Sequence, residues 1–138
     1  YSGVGTFAAL LAPSVPLVLA IEESAAAGAD AEANLDGLDN VTMLVGRVEE
    51  MLPDLSPAPD VVVIDPPRAG MRREVVEAML TSAVRRLVYV SCDPATLSRD
   101  LRLLVDGGFV LDEVQPVDMF PQTQHIECVT TLDRLRPR

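Results

Sequence analysis

Leu87-Val88-Tyr89-Val90-Ser91-Cys92-Asp93-Pro94 is an apolar, strand-forming run that ends on a cysteine and is closed by Asp-Pro. It reads as a β-strand with a thiol at its tip. Free cysteine is among the most often buried residue types, so one reading is a core thiol. The other is a nucleophile, because strand ends of an α/β sheet are where ligands bind and a thiolate is the strongest side-chain nucleophile near neutral pH. The surrounding pattern decides between them.

Upstream, Asp60 to Ile64 is the clearest strand, leaving through Asp65-Pro66-Pro67-Arg68-Ala69-Gly70, whose two prolines impose a stiff, extended exit. Between the two strands, residues 72–83 have helical spacing, with Val75, Val76, Met79 and Leu80 on one face. Downstream, Asp93-Pro94-Ala95-Thr96 opens a helix through Leu97, Leu101 and Leu104 that stops at Gly107-Gly108. Residues 109–114 and 126–132 then alternate as two strands forming a hairpin-like pair. Nearer the start, the glycine-rich turn Tyr1-Ser2-Gly3-Val4-Gly5-Thr6-Phe7 enters a short helix over residues 8–12. Residues 16–21 form a strand ending at Glu22-Glu23, residues 24–35 an alanine-rich helix, and Val41 to Val45 a short strand. A short helix is expected within residues 51–59. Strand and helix alternate throughout, and two adjacent strands finish the chain. That order predicts an α/β, Rossmann-like, mostly parallel sheet with an antiparallel edge strand.

A chain of 138 residues with 49% hydrophobic and 23% charged residues fits one folded domain spanning 1–138. The apolar runs fall far short of the roughly 20 residues a bilayer span needs, and no basic segment precedes the first of them. No membrane span or signal peptide is read. Cys92 and Cys128 match no metal or disulfide spacing, which predicts no metal site and a reducing, cytoplasmic location. A net charge of −10 argues against a stand-alone nucleic-acid binder, which needs clustered Lys and Arg. Any RNA would have to be gripped mostly by something outside these residues.

Three strand ends carry polar or reactive groups, Glu22, Asp65 and Cys92, and in a doubly wound sheet all three face one crevice. Glu22 lies about 20 residues after the glycine-rich turn, where a carboxylate accepts both ribose hydroxyls of a nucleoside cofactor; a solvated acid at a helix start is the other reading. Glu127 is the fourth candidate, at the end of the polar loop that runs from Asp118 to Ile126. Cys128 next to it points to the opposite face and belongs to the core. His125 shares Glu127's face and either orients it or anchors the loop. Arg68 either meets an RNA phosphate or pairs with a nearby acid. Arg85 and Arg86 are read as a solvated turn.

From Tyr1 to about Arg134, the sequence resembles the S-adenosylmethionine-dependent RNA 5-methyluridine (uracil-C5) methyltransferases. The resemblance rests on Tyr-Ser-Gly-Val-Gly-Thr-Phe at the start, Ile21-Glu22, and Asp65-Pro66-Pro67-Arg68-Ala69-Gly70. It continues through Val90-Ser91-Cys92-Asp93-Pro94 with Thr96-Leu97 and Arg99-Asp100-Leu101, and through Met119-Phe120-Pro121-Gln122-Thr123 with His125 and Glu127. Ser2 departs from the family, which often has cysteine there. The resemblance implies that Tyr1, Gly3, Thr6, Glu22 and Asp65 line the site for S-adenosylmethionine. It further implies that Asp65 and Arg68 contact the substrate, that Cys92 is the nucleophile and that Glu127 is the base. The implied substrate is a uridine of tRNA or rRNA, flipped out or unpaired so that C6 is accessible. The alternatives are a methyltransferase of another acceptor, such as cytosine C5, and a non-catalytic RNA-binding or RNA-folding module that keeps the fold.

The chain opens directly on the glycine-rich turn, without the strand that normally precedes one. It is therefore expected to be the C-terminal catalytic part of a longer protein, lacking the first strand and the N-terminal RNA-binding region. In the resembled family that strand lies between the ones ending at Glu22 and Asp65. Its removal is expected to leave a slot that makes the chain unstable or is filled by rearrangement or self-association.

Overall fold

The computed structural model describes residues 1–134, which fall into two compact units, Tyr1–Met51 and the residues from Leu52 onward. Residues 135–138 of the expected domain lie outside the described residues.

In the first unit the glycine turn leads into α1 (Thr6–Leu11) and a 3₁₀ turn at Ala12–Ser14. There follow β1 (Val18–Glu22), α2 (Ala25–Asn34), β2 (Val41–Val45) and α3 (Val48–Met51). Strands β1 and β2 are parallel, in register from Val18 opposite Val41 to Glu22 opposite Val45. Ala8, Ala20, Ala31 and Leu35 form the buried centre, flanked by Val18, Leu38, Val41 and Met43. The three alanines let the helices approach the two-stranded sheet closely, and Leu35 supplies the large apolar side chain. Ser24 caps α2, its hydroxyl accepting the Ala27 N–H at 3.3 Å, which satisfies one of the free donors at the helix start.

The second unit contains a 3₁₀ turn (Leu52–Asp54), β3 (Val61–Ile64), α4 (Arg73–Thr81), β4 (Arg86–Ser91), α5 (Pro94–Asp106), β5 (Phe109–Val117) and β6 (Glu127–Arg134). Its sheet has the order β3-β4-β6-β5; β3 and β4 are parallel, and β6 runs against both of its neighbours. The mixed sheet expected from the sequence is present, with the reversed strand one in from the edge. Helix α4 buries Val75, Val76, Ala78 and Met79, and α5 buries Leu97, Asp100 and Leu104. With Leu87, Tyr89, Phe109 and Leu132 these form the core. Arg134 lies 4.5 Å from the centre of the Phe109 ring and donates to the Met79 and Ser82 carbonyls, satisfying acceptors freed at the end of α4.

Some boundaries differ from the sequence reading for identifiable reasons. Helix α4 stops at Thr81, where the Thr81 and Ser82 hydroxyls donate back to the Glu77 and Met79 carbonyls. Strand β5 continues to Val117 through Pro116, a residue that an edge strand tolerates. Arg85 and Arg86 are not simply a solvated turn. Arg86 begins β4 and pairs bidentately with Asp133 at 2.7 and 2.6 Å, while Arg85 pairs with Asp60 at 2.6 Å. Strands β1 and β2 of the first sheet and β3 and β5 of the second each have one edge without a strand partner among the described residues.

Candidate active site

The second unit gathers its chemistry at one end of the sheet. Cys92 follows the last residue of β4 and is half-buried as a free thiol. The turn after it is tightly fixed. The Asp93 N–H donates to the Ser91 hydroxyl at 3.2 Å, and the Asp93 carboxylate accepts the Ala95 and Thr96 N–H groups at 2.9 Å, capping α5 with Pro94 at its first position. Those donations hold the Asp93 carboxyl below the usual carboxylate range.

Strand β6 brings the second group. Its antiparallel ladder with β4 runs from Arg86 opposite Asp133 to Ser91 opposite Cys128. The ladder ends there, and Cys92 and Glu127 are the next residues along the two segments, so both stand at this end of the sheet. Period-two alternation turns Cys128 to the other face, where it is buried. Burial, with the nearby Glu127 charge, pushes its thiol up and makes it a poor nucleophile. Asp65 follows the last residue of β3, whose parallel register with β4 ends at Ile64 opposite Tyr89. Its carboxylate reaches solvent, yet the desolvation around it pushes its pKa up. Asp65, Cys92 and Glu127 thus share one end of one sheet. Arg68 projects from the segment after β3 as an exposed cation, and His125 is anchored by its N–H to the Thr123 hydroxyl at 3.2 Å.

In the first unit, Glu22 is the last residue of β1, and its carboxylate gathers the glycine turn. Oε2 accepts the Gly3 N–H at 2.9 Å and Oε1 the Ser24 N–H at 2.8 Å. Burial raises its pKa, but the backbone donations from Ser24 and Gly3 outweigh this and hold it below the usual range, so it is an anion at neutral pH. A carboxylate has about four acceptor sites, so lone pairs remain for hydroxyls of a ligand. Gly3 has φ +56 and nothing within 4 Å of where a Cβ would stand, which leaves the backbone open to close approach. Tyr1 and Ser2 both donate their backbone nitrogens to the Ile21 carbonyl, at 2.9 and 3.0 Å, and Thr6 is exposed at the start of α1. These residues suit a nucleoside carrying ribose hydroxyls. No group of His, Cys, Asp and Glu that could hold a metal ion occurs among the described residues.

Asp100 was given no role by the sequence reading, yet it is a buried hub joining α5, β4 and the segment after β3. The signal was present. Asp100 stands three residues after Leu97 and four before Leu104, on the apolar stripe of α5 where a solvated acid does not belong.

Comparison with known proteins gives a consistent picture. The family model described as tRNA (Uracil-5-)-methyltransferase matches residues 56–135. An uncharacterized RNA methyltransferase of Gloeobacter violaceus is 49% identical over 97% of this chain, which covers 29% of that protein. One from Oceanobacillus iheyensis is 46% identical over 96% of the chain and 30% of its own length. The chain thus spans about 30% of the length of these relatives. Among solved structures, the Pyrococcus abyssi tRNA (uracil-54, C5)-methyltransferase in complex with S-adenosyl-L-homocysteine superposes with a TM-score of 0.84. It is 34% identical, over 96% of this chain and 32% of that one. A precorrin-6y C5,15-methyltransferase from Geobacter metallireducens, 21% identical, matches over 96% of this chain and 77% of its own with a TM-score of 0.80, and so shares the fold.

Proposed function

Because the chain belongs to the tRNA (uracil-5-)-methyltransferase family, we propose that its parent protein transfers a methyl group from S-adenosylmethionine to C5 of a uridine in tRNA or rRNA, in the cytoplasm, through a covalent cysteine adduct. The observation that supports this reading is the β4–β6 ladder, which ends with Ser91 opposite Cys128 and so leaves Cys92 and Glu127, the next residue of each segment, at the sheet end that also bears Asp65.

The residue types fit the chemistry. Uracil C5 is too weakly nucleophilic to take a methyl group unaided. The Cys92 thiolate adds to C6, the C5–C6 π pair moves towards the O4 carbonyl, and C5 becomes electron-rich. S-adenosylmethionine, when bound, supplies a methyl group on an electrophilic sulfonium. Tyr1, Gly3, Thr6 and Glu22 hold it, with Glu22 on the ribose. Once C5 carries the methyl group, Glu127 removes the remaining C5 proton. The electron pair re-forms the C5–C6 double bond and Cys92 leaves as thiolate. Asp65 hydrogen-bonds the uracil edge, and Arg68 contacts RNA phosphate. A chain with net charge −10 does not attract RNA by itself, so affinity resides in other parts of the parent protein. Self-association of the isolated chain through the free edges of β1 and β3 belongs to the same proposal, and sedimentation over a range of concentrations reads it.

The test is covalent trapping with the full-length protein. RNA carrying 5-fluorouridine at the target should form an adduct that withstands denaturation, because fluorine at C5 cannot be removed as a proton. Cys92→Ala should abolish it. Absence of both adduct and methyl transfer to uridine in the wild-type protein overturns the reading.

A further inference from the structure

Helix α5 reaches back from the Cys92 turn to grip the segment that carries Asp65 and Arg68. Thr96 Oγ1 donates to the Arg68 carbonyl at 2.9 Å. The Arg99 guanidinium donates to the Ala69 carbonyl at 2.8 Å and the Met71 carbonyl at 3.4 Å. Asp100 Oδ2 accepts the Met71 N–H at 2.7 Å and the Tyr89 hydroxyl at 2.8 Å, while Oδ1 accepts Arg99 Nε at 2.9 Å. Burial, reinforced by that hydrogen bond to Asp100, pushes the Tyr89 phenol strongly upward and keeps it a donor.

Asp100 is the one buried charged residue among those described, with 0% exposure. Fold stability alone does not call for an ion at this position, since an apolar residue on the Leu97–Leu104 stripe is commonly as stabilising as a buried ion pair. What the ion adds is direction. It ties a loop amide to a strand hydroxyl from a rigid helix. Gly70, with φ +75, makes room for it, because a Cβ there would stand 2.5 Å from Asp100 Oδ2 and 2.7 Å from an Arg99 nitrogen. The Gly70 N–H closes a turn onto the Pro67 carbonyl at 2.8 Å. The segment is therefore fixed at both ends, by β3 before Asp65 and by α5 from Arg68 to Met71, with the stiff Pro66-Pro67 pair between.

We propose that Asp100, assisted by Thr96 and Arg99, is a positioning residue that registers the Asp65–Met71 segment against the strand ending at Cys92, presenting Asp65 and Arg68 to the RNA at a fixed place beside the thiol. The proposal rests on the reading that Cys92 attacks the base and Asp65 contacts it. Asp100 itself touches no substrate and acts through the segment it holds.

The experiment uses the full-length protein with Thr96→Val, Thr96→Ser and Asp100→Asn. At saturating RNA, Thr96→Val and Asp100→Asn should slow adduct formation on 5-fluorouridine RNA by about tenfold or more, the scale of effect when a reacting group is misplaced by a fraction of an ångström. Thr96→Ser, which restores the hydroxyl, should recover the rate. Amide hydrogen exchange should quicken more at residues 68–71 than along β4. Wild-type rates in both impaired variants, or faster exchange spread equally through β4, overturns the proposal. If the wild-type protein forms no adduct, the functional reading fails, and exchange alone then decides: quickening greater at residues 68–71 than along β4 upholds the clamp, and its absence refutes it.

Discussion

Gly70→Ala should destabilise the second unit far more than Gly108→Ala, although both replace a glycine of positive φ. At Gly108, with φ +103, nothing lies within 4 Å of the added methyl, so the cost is that of holding an L-residue in a left-handed conformation, about 1–2 kcal/mol. Gly70, with φ +75, incurs the same term and a second one. Its methyl would stand 2.5 Å from Asp100 Oδ2, the oxygen that accepts both the Met71 N–H and the Tyr89 hydroxyl. Losing even one hydrogen bond to a buried charged group costs about 1.5–3 kcal/mol. The total for Gly70→Ala is then about 2.5–5 kcal/mol, leaving about 1.5–3 kcal/mol between the variants. Hydrogen exchange of the β4 and β6 amides reads the opening free energy of this unit residue by residue, without assuming that the whole chain unfolds in one step. Equal destabilisation by the two substitutions would show that the Asp100 hub contributes no packing constraint at Gly70.

The two cysteines should separate under alkylation of the native protein: Cys92, half-buried, reacts with iodoacetamide, and Cys128, buried with its thiol pushed up, does not until the protein unfolds, as peptide mass spectrometry will read; preferential labelling of Cys128 would contradict the face assignment. Glu22 should give the first unit an acid-sensitive term. Its folded pKa lies below the unfolded carboxylate value, about 4.3, so its contribution is present above that value and lost as pH falls through the folded pKa. Exchange at the Gly3 and Ser24 amides, corrected for intrinsic pH dependence, should report that loss, and Glu22→Gln should remove the pH dependence; an unchanged profile in the variant would refute it.

Where the candidate residues stand in the fold was largely legible because strand ends announce themselves. The apolar runs closing on Glu22, Asp65 and Cys92 each break at a polar residue, and period-two alternation separates Glu127 from Cys128. Pairing was less legible. That Cys92 and Glu127 come to one end of the sheet depends on a β4–β6 register between segments more than 30 residues apart, which local pattern does not determine. Asp100 escaped because an acid in an exposed-looking helix is normally solvated, and only its place between Leu97 and Leu104 betrays burial. Arg86 escaped likewise, because its partner Asp133 lies on a strand that becomes its neighbour only through the fold.

Glu127→Gln tests the central claim most directly, in the full-length protein with ordinary uridine RNA and S-adenosylmethionine. If Cys92 attacks C6 and Glu127 takes the C5 proton, the variant should accumulate a methylated covalent complex, with peptide mapping placing the RNA on Cys92. Normal turnover without an accumulated complex would contradict Glu127 as the base. A complex mapping to any residue other than Cys92 would contradict the nucleophile.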